Sequence, residues 1–412
     1  MTETLNPTDE NSVQEAVASA LGDAMPLEIV GGGTKRALGW PVAARRTLSL
    51  AGLAGITLYE PEELVLTAHA GTNLAEIEQA LSEQNQCLAF EPPDWRGLLR
   101  TTDRDQTIGG IVAANLAGPR RLQVGAVRDH FLGARMVTGR GEIVKIGGRV
   151  VKNVTGYDLC KLLAGSFGTL AVLTEITLKI LPAAEKTRTV LVFGLEAEAA
   201  QNAMTAALSS PNEVSAAAHL PADIASRSAI GYVAGAGSAV TALRIEGLEP
   251  SVEARCASLR EAMGVFGEVA ELHFHNSRKF WQEVGDVSSF AGDDRPVWRL
   301  SVPPAGAPSV IAAIRQALDI EHFVDWGGGL VWLRIGGIEK DAGAAIIRNA
   351  IAPDGGHATL IRAPEEMRSR VPVFQPQPDA LTRLTGRIKD GYDPAHILNP
   401  GRMVAGPLAS GV

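Results

Sequence analysis

The sequence predicts an α+β protein built from two successive units, and three observations carry that prediction. At 412 residues the chain exceeds what one hydrophobic core ordinarily serves. Up to Pro182, apolar positions follow a rhythm of two strands, a helix and a strand. From about residue 186 the texture changes to Ala-rich stretches with further strands and helices, and no phosphate loop among them.

The elements follow in order. Met1 to Asn11 is polar and acidic and lacks the basic start and apolar core of a signal peptide, and disorder is expected only at the chain ends. A helix is predicted from Val13 to Leu21, because Val13, Ala16, Val17, Ala20 and Leu21 share one face, with Asn11 and Gln14 as its capping box. Leu27 to Val30 reads as a strand that runs straight into Gly31-Gly32-Gly33-Thr34-Lys35. A strand near Leu64 to Ala70 stops at Gly71, after which Asn73 and Glu76 cap a helix that turns Leu74, Ile77 and Leu81 inward. A strand at Cys87 to Phe90 follows, and the rhythm continues through Ile111 to Leu116, Ala134 to Thr138, Ile143 to Ile146 and Leu170 to Leu181.

The second unit, residues 186–370, carries β segments at Val190 to Phe193, Ala242 to Glu246, Val297 to Val302 and Leu330 to Ile335. Pro372, Pro376 and Pro378 read as a linker into a last helix with Leu381, Leu384 and Ile388, followed by Asp393-Pro394 to Arg402. The divisions expected are therefore an N-terminal extension and first helix (1–24), a first domain (25–185), a second domain (186–370) and a C-terminal segment (371–412).

A formal net charge of −8, with no basic run interleaved with aromatics, argues against nucleic acid as a partner. Cys87, Cys160 and Cys256 are too far apart for a CxxC pair, form no disulfide framework, and exclude an iron–sulfur cluster held by this chain alone. They fit a cytoplasmic setting. No apolar run approaches the roughly 20 residues that span a bilayer, so membrane contact is expected only through a partner.

Three clusters carry chemistry. Consecutive amides at Gly31 to Lys35 can form an anion-binding nest to which Lys35 adds a charge, or simply a structural turn. The spacing matches neither a Walker A loop nor G-x-G-x-x-G, since position 36 is Arg. In the second cluster Thr107-Ile108-Gly109-Gly110, Asn115, Gly118, Gly125 and Arg128-Asp129 either admit a bulky ligand close to the backbone or turn corners. The third runs from Lys152 through Asn153, Thr155, Gly156, Tyr157 and Asp158 to Gly165-Ser166-Phe167-Gly168-Thr169 and the β-rich run beyond.

Taken together these motifs resemble the FAD-binding PCMH-type domain of the vanillyl-alcohol-oxidase superfamily, in its D-lactate and glycolate dehydrogenase branch. The resemblance covers most of residues 25–182, with GGGTK, TIGG and its downstream Asn, GYDL, and GSFGTL…TEITLKILP in the family's order. It extends to Tyr392-Asp393-Pro394 and Asn399-Pro400-Gly401-Arg402, which is similar to the family's C-terminal DP…NPG segment. The resemblance implies a two-subdomain FAD-binding domain, an α+β cap domain, and a C-terminal segment that returns to the FAD domain. It also implies that Gly31, Gly32, Gly33, Thr34 and Lys35, with Thr107, Ile108, Gly109, Gly110 and Asn115, cradle the pyrophosphate, with Gly118, Arg128 and Asp129 nearby. Gly165, Gly168 and Thr169 through Ile176 would contact the rest of the cofactor, and Asn399 would sit near the isoalloxazine ring. Thr34 stands where covalent members often have a His, so non-covalent FAD is expected.

Oxidation of a 2-hydroxy acid requires a base for the hydroxyl proton and a cation for the carboxylate. The catalytic branch members carry an H-x-GDGN-x-H-like strand, whereas this chain has Asp325-Trp326-Gly327-Gly328-Gly329-Leu330-Val331-Trp332. Arg299 reads either as a carboxylate clamp facing the flavin or as an ion pair on an exposed sheet face. Tyr157 reads as a second residue near the ring or as packing. On a strand His273 and His275 would share a face, yet nothing completes a metal site and none is predicted; a partly exposed strand or a helix end is the alternative. A complete flavin cradle without the cap histidines resembles a flavin subunit of a glycolate-oxidising complex, which implies a homologous flavin subunit and an iron–sulfur subunit as partners. A stand-alone D-2-hydroxy acid dehydrogenase and a non-catalytic flavin-bearing scaffold are the alternatives.

Overall fold

A computed structural model describes residues 3–101, 104–149, 157–337 and 340–404. The stretch Lys152 to Gly156, part of the third cluster, lies outside the described residues.

Among the described residues the first domain has two main sheets and a two-stranded pairing of Gln86–Cys87 with Leu181–Pro182. Glu3–Leu5, Arg46–Ser49 and Leu27–Val30 form a parallel three-stranded sheet with Arg46–Ser49 in the middle. The N-terminal residues from Glu3 therefore supply an edge strand. The helix that follows is Glu10–Gly22, and its cap is Asp9, whose carboxylate accepts from the Ser12 amide at 2.8 Å; Asn11 already lies inside the helix. Val13, Val17 and Ala20 are fully buried against the second sheet, and Gln14 Nε2 donates to Gly141 O at 2.8 Å. That second sheet is antiparallel in the order Ile56–Glu60, Val65–His69, Ala171–Lys179, Phe131–Thr138, Ile143–Gly147.

Into the apolar core of this domain pack Leu74–Ser82, which buries Leu74, Ile77 and Leu81 as predicted, and Ile108–Ala114. The latter matters for the site, because Ile111 to Leu116 continued the strand rhythm in the sequence and is mostly helix instead. The expected strand at Cys87 to Phe90 contracts to Gln86–Cys87.

The second domain is one antiparallel sheet of eight strands in the order Val269–Leu272, Lys186–Phe193, Val240–Gly247, Ala216–Leu220, Ile320–Asp325, Leu330–Ile335, Val297–Ser301, His357–Arg362. Alternation divides its side chains between two cores. Trp298, Leu300, Val331 and Leu333 face the covering helices, while Val297, Trp332, Phe323 and Leu330 join the apolar cluster of the first domain. His273 stands at the N-cap position of the helix Phe274–Gly285 and His275 lies in its first turn, so the pair sits at a helix end and not on a strand face.

Several buried hydrogen bonds fix the two domains against each other. Trp95 Nε1 donates to Gly285 O at 3.0 Å, Trp326 Nε1 to Gly118 O at 3.1 Å, and Arg362 Nη1 to Leu98 O at 2.9 Å. The C-terminal segment returns to the first domain, where Leu398 bridges Leu27 and both Ile397 and Leu398 are buried. Among the described residues no helix is long and apolar enough to cross a membrane.

Candidate functional site

A groove in the first domain is assembled from four pieces of chain. Leu27–Val30 delivers the glycine loop to its edge. A Cβ on Gly31 would lie 2.1 Å from Thr107 Oγ1, and one on Gly32 only 1.9 Å from Asp105 O, so these two glycines are needed for the loop to lie flat on the segment entering Thr107. Gly33 adopts φ 79°, which ends the turn in the left-handed region. The structural-turn alternative thus accounts for Gly31 and Gly32 on packing alone.

Gly110 is different. Thr107 caps Ile108–Ala114, its hydroxyl accepting from the Gly110 amide at 3.4 Å, and a Cβ on Gly110 would meet nothing closer than Thr107 Oγ1 at 3.5 Å and Lys35 Cδ at 3.9 Å. Gly110, Ala113 and Ala114 stand at helical i, i+3 and i+4 positions and give the groove a floor without long side chains. Phe167 at φ 53° and Gly168 at φ 66° form the far wall, tied to the floor by the bond from Phe167 N to Ala113 O at 2.8 Å. Asn399 closes the fourth side: its Oδ1 accepts from Ile29 N at 2.8 Å and its Nδ2 donates to Phe167 O at 2.8 Å.

Lys35 crosses the loop and donates to Gln106 Oε1 at 2.8 Å and to Thr34 Oγ1 at 3.2 Å. Burial lowers its pKa to about 8, with Asp94 opposing the shift. An ammonium so desolvated gains from an anion in the groove. Arg402 braces the loop from behind, donating to Arg36 O and Leu38 O, both at 2.7 Å.

Of the residues singled out in the sequence, the three loop glycines, Thr34 and Lys35 line the groove, as do Thr107, Gly109, Gly110, Gly168 and Asn399. Others do not. Ile108 and Ile176 are fully buried in the core. Gly118 packs on Glu91, where a Cβ would meet its carbonyl at 2.6 Å, and Gly165 packs on Asn115. Asn115 uses its Oδ1 to accept from Arg128 N at 3.1 Å. Asp129 caps Ala126 N at 2.8 Å, both Arg128 and Asp129 have exposed side chains, and Thr169 Oγ1 donates to Ser166 O at 2.7 Å. Tyr157 is 91% exposed, which removes it from any ring site inside the groove. Residues the sequence reading missed are Ile29, Arg36, Ala113, Ala114, Phe167 and Arg402.

Beside Gln106 the groove wall also borders a cleft between the domains, a cavity of about 720 Å³ with a charged lining. Arg244 of the cap reaches Glu91 at 2.7 Å, and Arg120 pairs with Glu246 at 3.2 Å. At its end Asp286 Oδ1 accepts from Asp94 N at 2.6 Å. Burial, reinforced by Asp94 and Glu78 and opposed by that hydrogen bond and Arg96, pushes the Asp286 carboxyl up to about 7.

A raised folded-state pKa means that ionising Asp286 costs stability: the cost is absent below pH 4, grows between pH 4 and 7, and is full above 7. Asp286→Asn keeps the acceptor and removes the charge. We expect it to stabilise the protein by roughly 2 kcal/mol at pH 8 and by almost nothing near pH 4. Urea melts at the two pH values measure this, and equal differences at both would show that Asp286 is not the titrating group.

The fold and groove are those of a PCMH-type FAD-binding oxidoreductase. The model of the FAD binding domain family (FAD_binding_4) matches residues 4–147. Over 392 residues, 95% of this chain and 96% of the relative, the sequence is 38% identical to "Glycolate oxidase subunit GlcE" of Escherichia coli K12. The chain belongs to this family of FAD-dependent oxidoreductases, and FAD is its cofactor. "Glycolate oxidase subunit GlcD" of Bacillus subtilis 168 matches at 34% over 134 residues, covering 32% of this chain and 27% of that one. Among solved structures, 4-ethylphenol oxidase from Gulosibacter chungangensis superposes with a TM-score of 0.71 over 98% of this chain and 89% of its own, at 14% identity. p-Cresol methylhydroxylase gives 0.70 over 97% and 88%, also at 14% identity. Both show the shared fold.

Proposed function

We propose that this chain is the FAD-bearing subunit of a complex that oxidises glycolate to glyoxylate, working with a homologous flavin subunit and an iron–sulfur subunit. The observation that carries the reading is the similarity to a glycolate oxidase subunit along nearly the whole of both chains. A second observation explains why it would work as a subunit. Among the described residues, no histidine lines the groove or the interdomain cleft. His219 and His322 of the cap sheet are buried, one bonded to Thr241 Oγ1 and the other to Arg315, and burial lowers their pKa values to about 4 and 3. Both are held by their neighbours, and pKa values this low make them poor acceptors for the hydroxyl proton.

In this reading Gly31 to Lys35, Thr107 and Gly110 hold the pyrophosphate, Lys35 supplies its countercharge, and Gly168 and Asn399 shape the opposite wall. Bound FAD supplies a two-electron acceptor. Among the described residues neither Cys nor His lines the groove, which supports non-covalent attachment. Acid precipitation is therefore expected to release all the flavin as intact FAD, and flavin that stays in the pellet would count against it.

The complex itself is tested by tagging the chain and asking what copurifies. A second flavoprotein and an iron–sulfur protein, with glycolate oxidation only in the assembled material, are the expected result. Bleaching of the flavin in the isolated chain by anaerobic glycolate or D-lactate would instead favour a stand-alone dehydrogenase.

A further inference from the structure

We propose that Arg121, Arg299 and Trp326 form a binding site for a small carboxylate at the seam between the two domains. Three distant parts of the chain converge there. Arg121 opens the short helix after Gly118, Arg299 projects from the cap strand Val297–Ser301 on the face turned toward the first domain, and Trp326 sits in the turn after Ile320–Asp325. The guanidinium carbons of Arg121 and Arg299 lie 4.4 and 4.9 Å from the centroid of the same Trp326 ring.

Two like charges brought to one ring repel each other, and folded proteins ordinarily place a carboxylate between them. Here neither guanidinium has a hydrogen bond or ion pair among the described residues. Asp325 is the acid near Arg299, but its Oδ1 accepts from Trp326 N at 2.7 Å, and burial pushes its carboxyl up to about 7. Asp129 is the acid near Arg121, but its Oδ2 accepts from Ala126 N at 2.8 Å and it makes no ion pair with that arginine, while burial and the charge of both arginines lower the pKa of His357 beside them. Both arginines are half-buried residues rather than sealed in the core.

The turn is tightly constrained, since a Cβ on Gly327 would lie 2.4 Å from Leu208 Cδ1 and one on Gly328 2.2 Å from Gln201 Oε1, which leaves Trp326 as its one side-chain-bearing residue at positive φ. Trp326 has φ 52°, and Gly327 and Gly328 follow at 61° and 107°, three left-handed residues in a row. Strain of this kind persists where surrounding contacts over-determine it, often at ligand clamps. Asp325 holds the turn from one side, Gln201 Nε2 donates to Gly327 O at 2.9 Å from another, and the indole N–H is fixed on Gly118 O. A planar carboxylate matches the guanidinium fork, and the indole supplies a flat apolar wall. The choice of a small carboxylate rests on the function proposed above; the anion site itself does not.

The test uses the FAD-loaded chain titrated with oxalate, which has no hydride to give, with sulfate at matched ionic strength as control. Oxalate is expected to raise the melting temperature saturably and beyond sulfate, with apparent affinity at least about tenfold weaker in Arg121→Met and in Arg299→Met. The ligand-free variants should melt at or above the parent, because removing either one relieves repulsion. Arg299→Lys, which keeps the charge but not the fork, is expected to fold and to bind at least about threefold more weakly. An oxalate response no larger than sulfate's overturns the proposal, as does one undiminished in the variants. Flavin content falling in the Met variants without any oxalate response would assign the anion to FAD's own phosphates and overturn it too. A chain that binds oxalate but never copurifies with partner subunits leaves this site standing and sinks the complex. A complex assembled around a chain blind to oxalate does the reverse.

Discussion

Gly110→Glu is expected to give a folded protein that holds no FAD. A side chain at this position starts from ordinary helical backbone and meets no atom closer than 3.5 Å, so the substitution does not strain the apo fold. Its carboxylate extends into the groove where the pyrophosphate is proposed to lie. Two unit charges of the same sign at 4 Å and an effective dielectric constant near 20 repel by about 4 kcal/mol, which corresponds to roughly a thousandfold in affinity. Gly110→Ala should fold and keep most of its flavin, since one methyl fits between Thr107 and Lys35.

Gly32→Ala makes the opposite comparison. Its Cβ would fall 1.9 Å from a backbone carbonyl, and overpacking of that kind costs roughly 1–3 kcal/mol or more. The ratio of flavin to protein absorbance, read beside a urea melt, separates the two effects. Unchanged flavin in Gly110→Glu would mean that the pyrophosphate is held elsewhere.

That contrast also marks how far the sequence could be read. A strand followed by three glycines announces a tight loop, and the loop is where it was expected. Nothing local reveals that Gly31 and Gly32 answer to Thr107 and Asp105, because those contacts join segments far apart in the chain. The floor of the groove was hidden by its own composition: a short apolar run such as Ile111 to Leu116 satisfies both periods, and the i, i+3, i+4 spacing of Gly110, Ala113 and Ala114 becomes informative only once the segment is helical. Ala216–Leu220 escaped for a related reason. Its alanines alternate between the two cores, Ala217 in one and Ala216 and Ala218 in the other, yet an Ala-rich stretch carries helix propensity. Asp129 looked like a ligand residue and its carboxylate caps the local turn at Ala126, as polar residues beside a glycine often do.

Asn399 shows what such separation conceals, and substituting it is expected to be the most damaging single change near the site to stability. The DP…NPG motif pointed to a segment that folds back, but not to why. Asn399 lies 370 positions after Ile29 and 232 after Phe167, and one amide joins both walls of the groove. It is 3% exposed and has φ 41°, a region that Asn tolerates better than other side chains. Asn399→Leu leaves a buried N–H and a buried carbonyl without partners, at roughly 1–3 kcal/mol each, and adds about 1 kcal/mol of backbone strain. A loss of about 4 kcal/mol is expected, with FAD affinity falling as the walls separate. Asn399→Asp discriminates further. Its carboxylate still accepts from Ile29 N but faces the Phe167 carbonyl, which favours the protonated form and raises the pKa. The acid's O–H can then donate to that carbonyl, so the Asp variant should recover stability as the pH falls toward 5. Should the Leu variant melt with the parent, or the Asp variant lose stability relative to the parent as acid is added, the double hydrogen bond would not be what holds the C-terminal segment to the groove.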